Sequence, residues 1–357
     1  MSILFSPLTL RGTTFRNRVW VSPMCQYSST EGHPTDWHLV HLGAFARGGS
    51  GLVMTEATAV SPEGRISPWD AGLWSDQQAE DYERIVRFVQ QQGAAAGVQL
   101  GHAGRKGSTA RPWERRGAVP LAGGGWVTVA PSPIAYGGWP PPEELTAAGI
   151  GAVVGDFRRA AARADAAGFD VVEIHAAHGY LLHQFLSPLT NRRSDAYGGD
   201  LEGRSRLLRE VVAAVRSSWP ERKPLLVRLS ATDWADGGWT PEETVAVARE
   251  LAGAGVDLVD VSSGGNVPEQ RVVAGPGYQV PFAAAVRREA GVATAAVGLI
   301  VDAEQAEQVL AGGSADAVFL ARALLRDPHW PLAAAQRLGH EAPWPAPYER
   351  ARPTAAR

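Results

Sequence analysis

The sequence predicts an α/β fold, a (β/α)8 TIM barrel. About eight short apolar runs recur along the 357 residues, and segments with helical spacing separate them. Alternating strands and helices build a parallel sheet with right-handed connections, and eight such strands close a barrel. Barrels of this class run from about 250 to more than about 400 residues, so a single domain over residues 1–345 is expected.

Each predicted strand is a short apolar run. They are Val19–Val21, Gly51–Thr55, Gly97–Leu100, Val171–Ile174, Leu225–Leu229, Leu258–Val261, Thr294–Val297 and Ala317–Leu320. Helical spacing predicts helices over residues 79–92, 155–167, 240–254 and 303–311. The third of these begins with an N-cap threonine, Thr240, followed by proline at the first helical position.

Two regions depart from the strand-helix alternation. Residues 4–18 predict a short β-hairpin around Arg11-Gly12, which we expect to close the bottom of the barrel. Residues 105–142, after the third strand, are rich in glycine, proline and tryptophan and are too long for a plain connection. Loops of that length are usually functional or disordered, so we interpret this excursion as a cap over the pocket.

Composition excludes several classes of function. The formal net charge of -3 gives no electrostatic case for binding nucleic acid. Cys25 is the only cysteine, so no intrachain disulfide can form and a reducing cytoplasm is the default expectation. The segment Met1–Pro7 lacks the features of a signal peptide, and no apolar run approaches the length of a membrane span. We expect a cytoplasmic enzyme that does not contact membranes.

The exit of the fourth predicted strand carries the strongest functional signal. His175, His178 and Tyr180 follow that strand directly, and polar residues at strand exits of a barrel are typically catalytic. Histidine titrates near neutrality, and tyrosine gives up its proton only to a strong base such as an enolate. The segment therefore indicates activation and protonation of a carbonyl compound. The alternative is two structural histidines bonded to nearby backbone.

Other strand exits supply a different set of groups. The exits of the first, second, third and fifth strands hold Ser22–Tyr27, Glu56–Thr58, Gln99–His102 and Arg228. Together they suit a flat heteroaromatic ring with hydrogen-bonding edges, and Arg228 would offset negative charge gained by that ring. For Arg228 the competing interpretation is a salt bridge inside the barrel.

The last two strand exits indicate a phosphate site. Gly298 follows the seventh strand, and Ala321 with Arg322 follows the eighth. Barrels often bind phosphate at these exits through backbone N–H groups and a helix N-terminus. A phosphorylated cofactor is the expected ligand.

The chain resembles the Old Yellow Enzyme family of flavin-dependent ene-reductases, and within it the bacterial, thermophilic-like NADPH dehydrogenase branch. The matching segments run in order along nearly the whole chain. They are residues 22–27, 54–60, 97–106, 175–182, 187–195, 197–199, 228–230 and 325–328.

The resemblance implies noncovalent FMN in the mouth of the barrel and NADPH as the reductant. The residues implied to bind FMN are Ser22, Pro23, Met24, Cys25, Ala57, Gln99, Arg228, Gly298, Ala321 and Arg322. Cys25 resembles a thiol that touches both flavin and ligand and adjusts the flavin's potential.

The resemblance also implies a reaction with enones and enals. His175 and His178 would bind the carbonyl oxygen, the reduced flavin would give hydride to the β-carbon, and Tyr180 would protonate the α-carbon. Tyr27 would contact the substrate from the other side. Gln26 and the tryptophans of the excursion depart from the family pattern, which puts the substrate range in doubt.

The C-terminal tail, residues 346–357, is similar to an element that reaches a neighbouring subunit's active site. Arg350 would then act across the interface of a homodimer or homotetramer.

Two other functions remain open at this stage. A metal-dependent barrel hydrolase could use His175 and His178 as ligands, with His102 as a third. A non-catalytic flavin-binding protein would explain Arg228 and the phosphate site, but it gives no use for the histidine pair and Tyr180. A larger reductase of the dienoyl-CoA type is disfavoured, because the sequence lacks the cysteines that would bind its iron-sulfur cluster.

Overall fold

The structure is a computed structural model that describes residues 2–114 and 117–352. Its strands are β1 (Leu8–Leu10), β2 (Thr13–Phe15), β3 (Val19–Val21), β4 (Leu52–Ala59), β5 (Ala95–Gly101), β6 (Val129–Ala130), β7 (Glu143–Glu144), β8 (Val171–Ala176), β9 (Leu225–Ser230), β10 (Leu258–Ser262), β11 (Ala293–Ala296) and β12 (Ala317–Leu320). Eight of them form a closed barrel in the order β3-β4-β5-β8-β9-β10-β11-β12. All eight are parallel, which confirms the predicted fold.

Helices surround the barrel. They are α1 (Asp36–Arg47), α2 (Asp76–Gln91), α3 (Ala147–Ala166), α4 (Leu181–Leu186), α5 (Leu201–Ser218), α6 (Pro241–Gly253), α7 (Val280–Ala290), α8 (Ala303–Ala311), α9 (Arg322–Arg326) and α10 (Trp330–Arg337). The four predicted helices are present. α3 begins eight residues earlier than predicted, because Thr146 caps it by accepting from the Gly149 N–H. Three glycines in its first turns weaken the helical signal there.

The N-terminal hairpin closes the bottom of the barrel as predicted. β1 and β2 pair antiparallel, with Arg11 and Gly12 in the turn between them. The Phe15 ring packs 4.6 Å from Trp20, and Trp20 packs 5.5 Å from Phe319. These rings belong to a fully buried apolar cluster inside the barrel. Apolar side chains therefore fill the lower half of the barrel interior.

In its described residues the excursion after β5 carries β6, which pairs in parallel with β7 just beyond it, and 3-10 turns at Gly104–Lys106 and Leu121–Gly123. The indole of Trp126 donates to the Glu63 carbonyl at 2.9 Å and lies 5.1 Å from the Arg65 guanidinium. The excursion thus packs against the loop that follows β4. A surface cleft of about 800 Å³ lies within it, lined by Trp126, Trp139 and several prolines.

No helix in the described part of the chain combines the length and the apolar character needed to cross a bilayer.

Candidate active site

The three residues predicted at the exit of β8 come together. The His175 ring lies 5.2 Å from the His178 ring and 5.0 Å from the Tyr180 ring, centroid to centroid. His175 is the fifth residue of β8, and α4 begins directly after Tyr180. The short turn between strand and helix is what places two imidazoles and a phenol on one wall of the mouth.

This turn is tightly constrained. His178 and Gly179 both have positive φ, 58° and 73°. A Cβ at Gly179 would lie only 2.2 Å from the Gly265 carbonyl oxygen, so glycine is required for the turn to pack on the loop after β10. The Lys106 ammonium joins the same two loops, since it donates to the carbonyls of His178 and Gly265 at 2.8 Å each.

Hydrogen bonds determine which nitrogens the imidazoles offer. Nδ1 of His175 accepts from the Ala177 N–H at 3.3 Å, so a neutral His175 carries its proton on Nε2. Nε2 of His178 lies 2.7 Å from the Ser262 hydroxyl, which leaves Nδ1 for a ligand. The Ser262 hydroxyl also lies 3.4 Å from Oε1 of Gln279, so His178 is its nearer partner and can accept its proton. In that tautomer both rings present an N–H.

Both imidazoles are neutral. Burial, and next the charge of Arg228, hold the pKa of His175 well below its ordinary value, and the same two causes act on the pKa of His178. Burial chiefly raises the pKa of Tyr180 well above its ordinary value. The site therefore offers two neutral N–H donors and one protonated phenol at neutral pH.

A buried pair behind the turn was missed by the sequence analysis. His183 on α4 accepts from the Gly179 N–H through Nδ1 at 2.9 Å, and its Nε2 lies 3.0 Å from Oδ1 of Asp233. Both side chains are fully buried. The Ser187 hydroxyl donates to the other carboxylate oxygen of Asp233 at 2.5 Å. A histidine within the apolar run 181–186 is the one sign of this pair in the sequence. Its acidic partner lies fifty residues further along the chain, so the sequence does not show that the two meet.

The predicted ring-binding residues lie on neighbouring strands. A bulge in β4 between Met54 and Ala57 brings Ala57 opposite Gln99 on β5. The Gln99 amide donates to Oε1 of Glu173 at 2.7 Å. The bulge could not be predicted from the apolar pattern, because it changes the pairing without changing the composition.

Arg228 makes the salt bridge that was its competing interpretation, and it also retains free donors. Its Nε lies 2.9 Å from Oδ2 of Asp260. The contact is an ion pair only, and within residues 2–114 and 117–352 no acceptor forms a hydrogen bond with the guanidinium. A buried guanidinium with unsatisfied N–H groups fits the acceptor atoms at the edge of an FMN ring.

The loop after β3 forms another wall. The Ser22 N–H donates to the Leu320 carbonyl, and the Gln26 N–H donates to the carboxylate of Glu56 within β4, both at 2.9 Å. Pro23, Met24 and Cys25 lie between these anchors, all partly buried. Burial, and next the carboxylate of Asp70, raise the pKa of the Cys25 thiol, which is therefore neutral. Tyr27 has a positive φ of 54° and packs edge-on against Trp113.

The predicted phosphate site is assembled from β11 and β12, which are neighbours in the barrel. Gly298 has a φ of 113°, and a Cβ there would lie 2.6 Å from the Gln279 amide nitrogen. Ala321 precedes α9, and Arg322 is exposed at its first position. The first N–H groups of a helix have no partner within it, so this corner fits the phosphate of FMN.

The described part of the C-terminal tail, residues 346–352, does not reach the site of its own chain. It forms a 3-10 turn over Ala346–Ala351, and the Tyr348 hydroxyl accepts from Arg47 at 2.6 Å. Arg47 ends α1 beside Gly49, whose carbonyl accepts from Asn17 just before β3. The tail is therefore anchored at the end of the barrel opposite the strand exits. Residues 353–357 of the tail lie outside the described residues.

The hydrolase alternative lacks a ligand set. In the part of the chain that the structure describes, no three His, Cys, Asp or Glu side chains converge so that they could hold a metal ion. His102, the proposed third ligand, instead accepts from the Gly104 N–H at 3.0 Å through Nδ1.

Known proteins of similar sequence and fold show the family of this chain. Residues 3–341 match the NADH:flavin oxidoreductase / NADH oxidase family. The chain is 49% identical over 352 residues to the NADPH dehydrogenase of Geobacillus thermodenitrificans (strain NG80-2), covering 98% of both chains. It is 45% identical over 350 residues to that of Halalkalibacterium halodurans, with the same coverage. Morphinone reductase in complex with tetrahydroNAD superimposes with a TM-score of 0.79 at 29% identity, covering 96% of this chain and 93% of the other.

Fold and site together define an FMN-dependent oxidoreductase built on a TIM barrel, with NADPH as its reductant. The chain belongs to the NADH:flavin oxidoreductase / NADH oxidase family and, within it, to the bacterial NADPH dehydrogenase branch of the Old Yellow Enzymes. The chain is therefore an enzyme, and the hypothesis of a non-catalytic flavin-binding protein is rejected.

Proposed function

We propose that this enzyme reduces the activated C=C bond of α,β-unsaturated carbonyl compounds, both enones and enals. The observation that carries the proposal is the wall formed by His175, His178 and Tyr180, where the second imidazole and the phenol ring lie 5.2 and 5.0 Å from the His175 ring. One carbonyl oxygen can accept from both imidazoles, which leaves the phenol next to the adjoining carbons. The name of morphinone reductase, which has the same fold, describes the reduction of an organic compound, and this supports a reductase.

The histidine pair polarises the substrate. Nε2–H of His175 and Nδ1–H of His178 donate to the carbonyl oxygen, where negative charge develops as the C=C bond is reduced. Such donors are most effective when they are fixed in advance and shielded from water. His175 is buried, and its partner is held by the Ser262 hydroxyl and the constrained turn at Gly179.

Tyr180 completes the reaction by protonating the α-carbon. When bound, FMN would supply the hydride that the β-carbon accepts. The raised pKa of Tyr180 keeps the phenol protonated until the enolate forms, because only a strong base can take its proton. Solvent then returns a proton to the phenolate.

We propose that FMN is held on three sides. Ser22, Pro23, Met24 and Cys25 would line it along the loop after β3, and Ala57 with Gln99 would meet the ring from β4 and β5. Arg228 would bind its electron-rich edge, and Gly298, Ala321 and Arg322 would bind the phosphate. Tyr27, next to Trp113, would contact the substrate from the side opposite the histidines.

The spectrum of the purified protein tests this function. We expect a yellow protein whose visible absorption bleaches on addition of NADPH under argon and returns on addition of cyclohexenone. A colourless protein that takes up no FMN on reconstitution would contradict the proposed cofactor site. A yellow protein that NADPH bleaches but enones leave reduced would contradict the substrate class alone.

We further propose that residues 1–345 form one FMN-binding domain of a cytoplasmic homodimer or homotetramer. Residues 346–357 would reach the neighbouring subunit and supply Arg350 to its substrate pocket. The tail's position supports this, because Tyr348 anchors it far from its own strand exits while Arg350 is exposed.

Mixed oligomers test the role of Arg350. Arg350→Ala should raise KM for an enone several-fold, and Tyr180→Phe should be nearly inactive. If Arg350 acts across the interface, unfolding and refolding the two variants together should restore sites that combine a native Tyr180 with a native Arg350. Arg352→Ala is the matched control, because Arg352 pairs with Glu341 of its own chain. Activity that is merely the average of the two variants would contradict the proposal.

A further inference from the structure

Glu173 is a buried acid for which the proposed reaction has no use. It points into the barrel from β8 and is fully buried, two residues before His175. Three other buried polar side chains lie around it: Gln99 on β5 and Arg228 on β9, the two strands that pair with β8, and Asp260 on β10, which pairs with β9. Two of these, Gln99 and Arg228, are the residues proposed to meet the flavin.

The contacts divide this cluster into two pairs. Gln99 donates to Oε1 of Glu173 at 2.7 Å, and Arg228 lies 2.9 Å from Asp260. Oε2 of Glu173 is buried and has no hydrogen-bond partner in the described residues. One oxygen of Glu173 is therefore in use as an acceptor, and the other is where a proton can reside.

Ionisation of both acids at the same time is energetically unfavourable. The cluster holds two carboxyl groups and one guanidinium, and His175 on the same strand is neutral. The interior side chains of other barrel strands are apolar, among them Trp20, Met54 and Phe319. Ionising both acids would leave an uncompensated buried negative charge, which is strongly unfavourable. Because Asp260 lies against the guanidinium, Glu173 is the acid that keeps its proton.

The pKa shifts agree with this assignment. Burial, and next the charge of Asp260, raise the pKa of Glu173 to about 8. The pKa of Asp260 is raised by burial only to about 6, since Arg228 opposes the effect.

We propose that Glu173 is a positioning residue that supports Gln99 and Arg228 as a neutral carboxylic acid, and that its protonation is coupled to the redox state of the flavin. This inference rests on the proposed flavin site. Reduction adds negative charge to a flavin ring, and a carboxyl group close to that charge binds its proton more tightly. At alkaline pH, where Glu173 is partly ionised, reduction would therefore draw a proton from water onto Oε2. The two electrons come from NADPH.

The midpoint potential of bound FMN, measured against pH by dye equilibration under argon, tests the inference with Glu173→Gln. This change keeps an acceptor for Gln99 but removes the titration. We expect the potentials of wild type and variant to coincide at about pH 6 and to separate above about pH 8, with the wild type lower because an ionised Glu173 opposes reduction. The wild type should also take up more protons per two electrons in that range.

Two further variants separate the possible outcomes. Glu250→Gln, which removes an exposed acid on α6, should give the wild-type curve and controls for net charge. Arg228→Met should weaken FMN binding, and normal FMN binding in that variant would overturn the proposed flavin site itself. If Arg228→Met weakens binding while Glu173→Gln follows the wild-type potential at every pH, the redox coupling of Glu173 is wrong and the flavin site stands.

Discussion

Replacing both His175 and His178 with alanine should lower enone reduction by at least about 10³-fold, since the loss of a single oxyanion donor costs about 10²–10³. The two N–H groups act on the same oxygen, so the two losses should not simply add. FMN should remain bound, because the proposed flavin contacts come from other strands. The measurement is the rate at which cyclohexenone reoxidises enzyme whose flavin was reduced chemically, which bypasses NADPH.

A conservative variant of His178 shows whether the activity depends on its N–H donor or only on the shape of its side chain. His178→Asn retains an N–H donor on a shorter side chain, so it should keep more activity than His178→Ala. If the double alanine variant reoxidises with enone at the wild-type rate, the histidines do not bind the carbonyl. If asparagine and alanine are equally poor, the position of the imidazole matters beyond its N–H.

Tyr180→Phe should lower the same reoxidation rate by about 10²–10⁴-fold, which is the usual contribution of a positioned proton donor. Enone binding should change little, because the two imidazole donors remain. The expected result is therefore a fall in the maximum rate with little change in the enone concentration that gives half of it. The flavin spectrum should be unaltered.

Tyr136→Phe is the matched control for this prediction. The Tyr136 and Tyr180 rings both lie about 5 Å from the Lys106 ammonium, at 4.8 and 5.1 Å. Removing the Tyr136 hydroxyl should therefore reproduce any general effect on Lys106 and leave proton transfer intact. Equal losses in the two variants would show that the phenol of Tyr180 is not the proton donor.

Much of the fold could be predicted because its signals are local. Each barrel strand is a short apolar run of a few residues, and the hairpin and helix starts are marked by their own turn and capping residues. The histidines and Tyr180 were found for the same reason, since they follow one strand within six residues. Strand order and closure then follow from the rules that parallel strands obey.

The sequence by itself determined the barrel, its hairpin and the chemical groups at each strand exit. Only the tertiary structure decided how those groups are held. Lys106 joins the loops after β8 and β10, and Asp233 lies against His183. Glu173 on β8 accepts a hydrogen bond from Gln99 on the neighbouring strand β5. Each contact joins residues fifty or more positions apart, and a buried polar group is matched by whatever partner the packing brings near it. That partner depends on three-dimensional proximity, which no local pattern records.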